Sequence, residues 1–255
     1  MLTLVASLIF APPALISAGP FHTRHAELLS FGVSKINREV LAAVDRVQAT
    51  AMDGGGYFIG VKAVPAESPI GYPLKLKGKP MLHPPRTTSY CSGSSYSALI
   101  EALDRLLKKA PDAERTERLR MQEPDGDRRE DETKAWGWWN ADGLGCDYAL
   151  VQYLGIGERI PAREAIPGDF MNISWKTGIG HSVVFLGWTR VEGTKPAIVF
   201  WSSQKGTNGL GDMVAALDTV KALSTVRLTR PERVLTFEPG NVDRKAAVGE
   251  APPIF

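Results

Sequence analysis

Two residues of this sequence have the types and surroundings expected of a nucleophile and its base. Cys91 is followed by the small residues S-G-S-S and an apolar helical pattern, so it lies at the start of a predicted helix. A helix start offers unpaired N–H groups and the positive end of the helix dipole, which lower the pKa of a thiol. His181 opens an apolar strand in G-H-S-V-V-F-L-G-W, where an imidazole can serve as a general base across a cleft. The pair predicts acyl transfer, with the Cys91 N–H helping to hold the oxyanion.

A third polar group is expected to orient the imidazole. The next strand, A-I-V-F-W-S-S-Q, ends in polar residues. If Trp188 pairs with Ala197 across the intervening hairpin, constant register places Gln204 opposite His181, whereas a slip by two residues places Ser202 there. Both are candidates, and either can equally be an ordinary polar strand end.

The chain has only two cysteines, Cys91 and Cys146, and in an exported protein two cysteines often form a disulfide. Cys146 lies in a Gly- and Asp-rich loop with no histidine nearby in sequence. This asymmetry favours a free, catalytic Cys91. A disulfide between the two cysteines, or two thiols without a role, are the alternatives.

A tryptophan-rich segment, W-G-W-W-N-A-D-G-L-G-C-D-Y, precedes the predicted sheet. Aromatic side chains beside polar residues and glycines suit the wall of a binding cleft, but they suit a small core beneath a long loop equally well. The candidate substrate-binding residues are Tyr90, Trp138, Trp139, Asn140 and Asp142.

Other chemistries have little support. A net charge of +2 makes nucleic acid an unexpected partner. The chain has no H-E-x-x-H, no Walker loop and no G-x-G-x-x-G after a strand, and its four histidines are scattered. The second glycine of a serine nucleophile elbow is replaced by Val184. We therefore expect neither a metal nor a cofactor.

Residues 1–18 are uncharged and apolar but too short to span a bilayer comfortably. They predict a secretion signal, hence an exported protein, periplasmic or extracellular, with no stable membrane insertion after the signal is removed. A buried N-terminal helix is the alternative. Residues 19–230 are expected to form one domain with a charged and Trp-rich insertion at about 110–165, and residues 231–255 a partly disordered extension.

The hydrophobic periodicity predicts an α+β fold, with helices packed on a small antiparallel sheet or half-barrel. A capped amphipathic helix follows Ser34, and a second helix carries Cys91 at its beginning. The expected strands are Asp169 to Trp175, Ser182 to Trp188, Ala197 to Ser203 and Val226 to Leu228, with a further amphipathic stretch from Met213 to Leu223.

The order of these parts resembles the NlpC-like papain-fold peptidases and the related CHAP amidohydrolases. The matching features are a cysteine at a helix start, the turn Pro167-Gly168-Asp169 before the first core strand, and a histidine opening the next strand. The resemblance covers roughly residues 89–228. It implies that Cys91 is the nucleophile and His181 the base of a cysteine peptidase or amidase. The sequence departs from the family in its long insertion and in offering Ser202 or Gln204 where the family has His, Asn or Glu.

The expected function is thus hydrolysis of peptide or amide bonds in a peptide-containing substrate. By resemblance, that substrate is bacterial peptidoglycan. The alternative is a non-catalytic peptide- or glycan-binding module on the same fold, with the Trp-rich segment as its platform.

Overall fold

A six-stranded antiparallel sheet carries helices on one face, so the α+β class expected from the sequence is confirmed. The computed structural model describes residues 8–58, 73–81, 88–112, 114–120, 134–141 and 143–255. The helices are α1 (Pro13–Ser17), α2 (His25–Leu28), α3 (Lys35–Gln48), α4 (Cys91–Leu106) and α5 (Ala135–Trp139). The strands are β1 (Lys75–Leu76), β2 (Lys79–Pro80), β3 (Gly157–Ile160), β4 (Phe170–Trp175), β5 (Gly180–Val191), β6 (Lys195–Gln204), β7 (Gly209–Ala216) and β8 (Val220–Leu228). The sheet order is β3-β8-β4-β5-β6-β7, and β1 and β2 form a separate hairpin.

Helices α3 and α4 form the layer above the sheet. The Ser34 hydroxyl caps α3 by accepting the Asn37 N–H at 3.0 Å. The predicted apolar stripe of this helix is fully buried at Val40, Leu41, Val44 and Val47 and partly buried at Ile36. It packs with Leu99, Leu103 and the sheet residues Val184 and Trp201 into the larger core. The amphipathic patterns that predicted these two helices therefore mark the faces that are buried.

The opposite face of the sheet has a second, smaller core. It contains Met171, Ile173, Val183, Phe185, Trp188, Ile198, Phe200 and Leu223, together with residues of the short turns beside them. Alternate residues of one strand enter opposite cores, as the two-residue period requires.

A β-bulge interrupts the pairing of β5 with β6 at Leu186. Trp188 pairs with Ile198, so the assumed pairing with Ala197 is wrong by one residue. Beyond the bulge, Val184 pairs with Trp201. A bulge sets two residues of one strand against one residue of its partner, so the extra residue of β5 shifts the pairing by one. From Phe185 onward the pairs are those that a pair of Trp188 with Ala197 would have given.

The amphipathic stretch from Met213 to Leu223 forms strand rather than helix. It contains the end of β7, a 3₁₀ turn at Leu217–Thr219 and the start of β8. Ala216 pairs with Ala197 and Leu223 with Ile173. Short apolar runs fit a helix or a strand, and pairing with distant strands decides between them here.

Both ends of the described chain contact the sheet. The Ala11 N–H donates to the Trp188 carbonyl at 2.8 Å, and Leu15 is buried in the larger core. The Phe255 ring lies 5.2 Å from that of Phe10 and 5.8 Å from that of Trp188. In the described part of the chain, no helix has the length and apolar character that crossing a membrane requires.

Candidate active site

Cys91 is the first residue of α4 and is partly exposed. Tyr90 precedes it in an extended conformation, with φ −142° and ψ 171°. The hydroxyls of Ser94 and Ser95 both donate to the Cys91 carbonyl, at 2.8 and 3.0 Å. The serines after Cys91 thus stabilise the first turn of α4 through hydrogen bonds to its backbone, and the Cys91 sulfur lies at the N-terminal tip of the helix.

The tip of α4 fills a gap where β5 and β6 separate. The last recorded pair of this ladder is Val184 with Trp201. Beyond it, the Ser182 carbonyl accepts the Ser202 hydroxyl at 2.8 Å, and the Ser182 N–H donates to the Cys91 sulfur. The N–H and C=O of one strand residue point to the same side, so both face the space that β6 has left. The Cys91 sulfur therefore accepts the Ser182 N–H, which a backbone carbonyl of β6 would accept if the two strands stayed paired.

His181 lies beside the same sulfur and governs its acidity. Burial raises the pKa of the Cys91 thiol, but the His181 charge and a hydrogen bond with that ring lower it. The N–H groups of Ser182 and Ser92 lower it further, and the net pKa is below that of an ordinary thiol. The pair expected from the sequence therefore meets at a helix tip and a strand opening.

Aromatic rings flank His181 on its other side. Its ring centroid lies 5.6 Å from that of Phe200 and 6.3 Å from that of Trp175. Its Nε2 atom is buried and has no hydrogen-bond partner among the described residues. A buried ring nitrogen without a partner is uncommon, which makes this atom a feature that a function should explain.

Neither candidate for the third polar group has a recorded hydrogen bond to His181 within the described chain. The Ser202 hydroxyl, fully buried, is committed to the Ser182 carbonyl. The Gln204 Nε2 group donates to Thr207 Oγ1 at 2.8 Å and to the Gly211 carbonyl at 3.0 Å. These bonds fix the orientation of the amide, and its Oε1 atom is buried without a partner.

The register favours Gln204 over Ser202 as the neighbour of His181. Counted three residues along each strand from the pair of Val184 with Trp201, Gln204 corresponds to His181, although the two strands have separated there and no pairing joins these residues in the described chain. Residues directly opposite in an antiparallel pair share a face of the sheet. Gln204 Oε1 and His181 Nε2, each buried and without a hydrogen-bond partner among the described residues, thus lie at corresponding positions of two strands that are no longer paired.

Tyr57 is a site residue that the sequence analysis missed. It bridges Ser89 in parallel fashion, while the Phe58 N–H donates to the Ser89 carbonyl at 2.9 Å. Burial and the nearby Cys91 charge raise the pKa of the Tyr57 phenol to about 12. A phenol that stays protonated beside the sulfur is a hydrogen-bond donor. The sequence shows a strand-like run at Tyr57, but no spacing rule links it to Cys91.

The Trp-rich segment mainly supports α4. Trp139 is buried and its Nε1–H donates to Ser95 Oγ at 3.2 Å, while Asn140 Oδ1 accepts the Ser92 hydroxyl at 2.6 Å. Trp138 is only half-buried and lies 5.7 Å from the Arg244 guanidinium.

Among the other expected substrate-binding residues, Tyr90 is buried, with 3% of its surface exposed. Asp142 falls outside the described residues. Trp138 is therefore the member of the set whose ring is most available to a ligand.

Cys146 is free, as is Cys91, so no disulfide joins them. Cys146 is fully buried, with its N–H donating to Asn172 Oδ1 at 2.9 Å and its sulfur 3.7 Å from Ser182 Oγ. Burial raises the pKa of this thiol to about 12. Of the two thiols, only Cys91 has the surroundings of a nucleophile.

Comparison with family models, curated proteins and solved structures found no match to this chain. The case for a function therefore depends on the geometry described above.

Proposed function

We propose that this protein is a cysteine hydrolase of amide bonds with a papain-like arrangement, in which Cys91 is the nucleophile and His181 the base. The observation that carries the proposal is the contact of the Cys91 thiol with His181, which lowers the thiol pKa despite burial. Structural cysteines buried in apolar surroundings have the opposite shift, as Cys146 does.

In the proposed reaction the Cys91 thiolate attacks an amide carbonyl carbon. The Cys91 N–H and the Tyr57 hydroxyl stabilise the oxyanion. The protonated His181 then gives its proton to the leaving amine, the C–N bond breaks, and a thioester remains on Cys91. Water, deprotonated by His181, attacks this thioester and releases the carboxylic acid and the free thiol. No cofactor takes part.

Gln204 is the proposed orienting residue. Its Oε1 atom is a buried acceptor without a donor among the described residues, and Nε2–H of His181 is a buried donor that such an acceptor could bind. Such a bond would fix the ring tautomer with its Nδ1 atom available to the sulfur. The Ser202 oxygen keeps lone pairs that can accept an N–H while its proton is donated to Ser182, but no hydrogen bond joins it to His181 within the described chain.

The proposed substrate is a peptide of the bacterial cell wall, and the proposed location is outside the cytoplasm. Both follow from the resemblance of the Cys91 helix start, the Pro167–Asp169 turn and the His181 strand to NlpC-like and CHAP enzymes. The half-buried Trp138 would serve as a contact for the substrate.

Digestion of purified peptidoglycan fragments, read by mass spectrometry, tests this function. Wild type should release pairs of new fragments whose masses add up to that of the parent plus one water, and Cys91→Ala and His181→Ala should release none. Cys146→Ala is the control and should retain the activity. Equal digestion by Cys91→Ala would refute the proposal, and fragments that bind to all variants without being cut would indicate a binding module.

A further inference from the structure

Four ionisable side chains meet in a part of the fold that the proposed reaction does not use. They are His22 and His25 of the N-terminal segment, Asp45 of α3 and Asp212 of β7. His25 is completely buried, His22 is 7% exposed and the Asp212 side chain 9% exposed. His22 and His25, three residues apart in sequence, are thus brought against carboxylates from two distant elements of the fold.

His22 and His25 share one carboxylate. The His22 Nε2 atom lies 3.0 Å from Asp212 Oδ2, and the His25 Nε2 atom lies 2.8 Å from Asp212 Oδ1. The two rings stack with centroids 4.2 Å apart and planes 25° apart, which brings both Nε2 atoms to the same group. One ligand atom from each of the three residues falls within 4.8 Å of the others.

Asp45 binds the ring nitrogen of His25 that faces away from Asp212. Its Oδ1 atom lies 2.6 Å from His25 Nδ1, and the carboxylate also accepts the backbone N–H groups of His25 and Ala26 at 2.8 and 3.0 Å. A carboxylate on the far nitrogen of an imidazole orients that ring toward a metal and makes it a better ligand. Asp45 is therefore placed as a positioning residue, and Asp212 as a direct ligand.

The Asp212 carboxylate, 9% exposed, and the partly exposed Asp45 carboxylate lie against two largely buried imidazoles, and a positive charge between them would be stabilised. Two imidazole nitrogens and a carboxylate form a ligand set that suits Zn²⁺. We propose that His22, His25 and Asp212 bind Zn²⁺, with Asp45 orienting His25. The Asp212 N–H also donates to the Pro20 carbonyl at 2.9 Å, so the ion would fasten the N-terminal segment to the edge of the sheet.

Binding requires small rearrangements that can be specified. His25 releases the proton on Nε2 and keeps the one on Nδ1 that faces Asp45. His22 moves its proton from Nε2 to Nδ1 and gives up the Arg24 N–H, which Nδ1 accepts at 3.2 Å. Ligands about 2.1 Å from one tetrahedral ion lie roughly 3.4 Å apart, so the Asp212 carboxylate would withdraw by about half an ångström.

The test uses the full chain without a histidine tag, in the Cys91→Ser/Cys146→Ser background, because thiolates also bind zinc. Metal is removed with a chelator, and ZnCl₂ alone is then added. We expect one zinc per chain by elemental analysis after desalting and a rise in Tm. Co²⁺ in its place should give the visible absorption of a tetrahedral site. The outcome does not depend on amide hydrolysis, since this background lacks the proposed nucleophile.

Variants distinguish the site from adventitious binding. Asp45→Asn should weaken zinc binding about 10- to 100-fold, and His22→Gln, His25→Gln and Asp212→Asn should each abolish it. Asp243→Asn, a change at an exposed aspartate outside the cluster, should have no effect. If His25→Gln does not fold, the other three variants still decide the question. The proposal would be overturned if the folded Cys91→Ser/Cys146→Ser protein took up no zinc, or if Asp212→Asn took up as much zinc as this background. The cluster would then be a network of side chains joined by hydrogen bonds alone.

Discussion

The two thiols of this chain show how strongly surroundings control cysteine chemistry. Cys91 stands at a helix tip with two backbone N–H groups and an imidazole directed at its sulfur, and its pKa falls. Cys146 is buried with a single hydroxyl at 3.7 Å, and its pKa rises to about 12. Composition treats these residues as equivalent, and an even cysteine count suggests a disulfide, but their surroundings give the two thiols opposite pKa shifts.

Alkylation with iodoacetamide should therefore distinguish the two thiols. Cys91 should react at pH 7 faster than an ordinary thiol, whose pKa is about 8.5, and Cys146 should stay unmodified in the folded protein. Because the folded pKa of Cys91 is depressed, the thiolate contributes stability above the unfolded pKa, and this is lost as pH falls through the folded value. His181→Ala removes the two largest lowering influences, so the rate at pH 7 should fall about tenfold or more. An unchanged pH profile in His181→Ala would contradict this assignment.

The orienting role of Gln204 makes a separate prediction. Gln204→Met keeps the length of the side chain but removes the acceptor, so kcat should fall roughly tenfold with little change in KM, and the pH profile of kcat should shift. Ser202→Ala is the matched control from the same strand. It should cost about 1 kcal/mol of stability through the lost bond to Ser182 and leave the pH profile unchanged. A shifted pH profile of kcat in Ser202→Ala, with an unchanged profile in Gln204→Met, would make Ser202 the orienting residue.

At the scale of elements, periodicity could predict the helix and the strand that hold the site but not their neighbours. The stripes of α3 and α4 and the apolar run of β5 are local patterns, and these elements form where expected. The stretch from Met213 to Leu223 is locally ambiguous, and its pairing partners are distant in sequence. The register that relates Gln204 to His181 depends on a bulge at Leu186, for which the neighbouring Gly187 within an apolar strand is the one local signal.

Tyr57 and Ser182 illustrate the same limit at the site. Tyr57 reaches Cys91 through a bridge to Ser89, and Ser182 donates its N–H to the sulfur only because β5 and β6 separate. These placements come from tertiary packing, so a single sequence does not reveal them.

Ser95 should prove the most sensitive serine of α4. Its hydroxyl bonds the Cys91 carbonyl at 3.0 Å and Ser182 Oγ at 2.7 Å, and it accepts the Trp139 indole N–H at 3.2 Å. Ser95→Ala leaves buried polar groups without partners and should cost about 2–3 kcal/mol.

Ser97→Ala serves as the control, because this buried hydroxyl has one recorded bond, to the Gly93 carbonyl, and should cost about 1 kcal/mol. Urea unfolding of both variants measures the difference. Equal losses would mean that Ser95 does not join the helix tip to the sheet.

On the scale of the whole molecule, the Pro167–Asp169 turn joins the two layers. The buried Asp169 carboxylate accepts two bonds from Arg227 of β8, at 2.9 and 2.8 Å, and one from Asn37 of α3 at 2.8 Å. Burial raises the pKa of Asp169, and Arg227 and Asn37 only partly offset this. The turn singled out in the sequence thus has a structural role in positioning β4, independent of any family likeness.

Removing the Asp169 carboxylate should strongly lower the free energy of unfolding. Asp169→Ala leaves Arg227 without its partner and should cost about 3–5 kcal/mol in urea unfolding, as expected when a buried ion pair loses one member. Glu192→Ala breaks the exposed pair with Lys195 and should change stability by less than about 1 kcal/mol. Similar losses in the two variants would show that Asp169 does not fix the layers.

The most direct test of the central claim is to trap the covalent intermediate. Wild type is mixed with purified peptidoglycan fragments, quenched with acid during turnover and examined by intact-mass and peptide-mass analysis. The account predicts a thioester whose added mass equals the acyl part of the substrate, located on Cys91 and absent from Cys91→Ala. Cleavage of an amide by wild type with no such adduct, or an adduct on another residue, would contradict it.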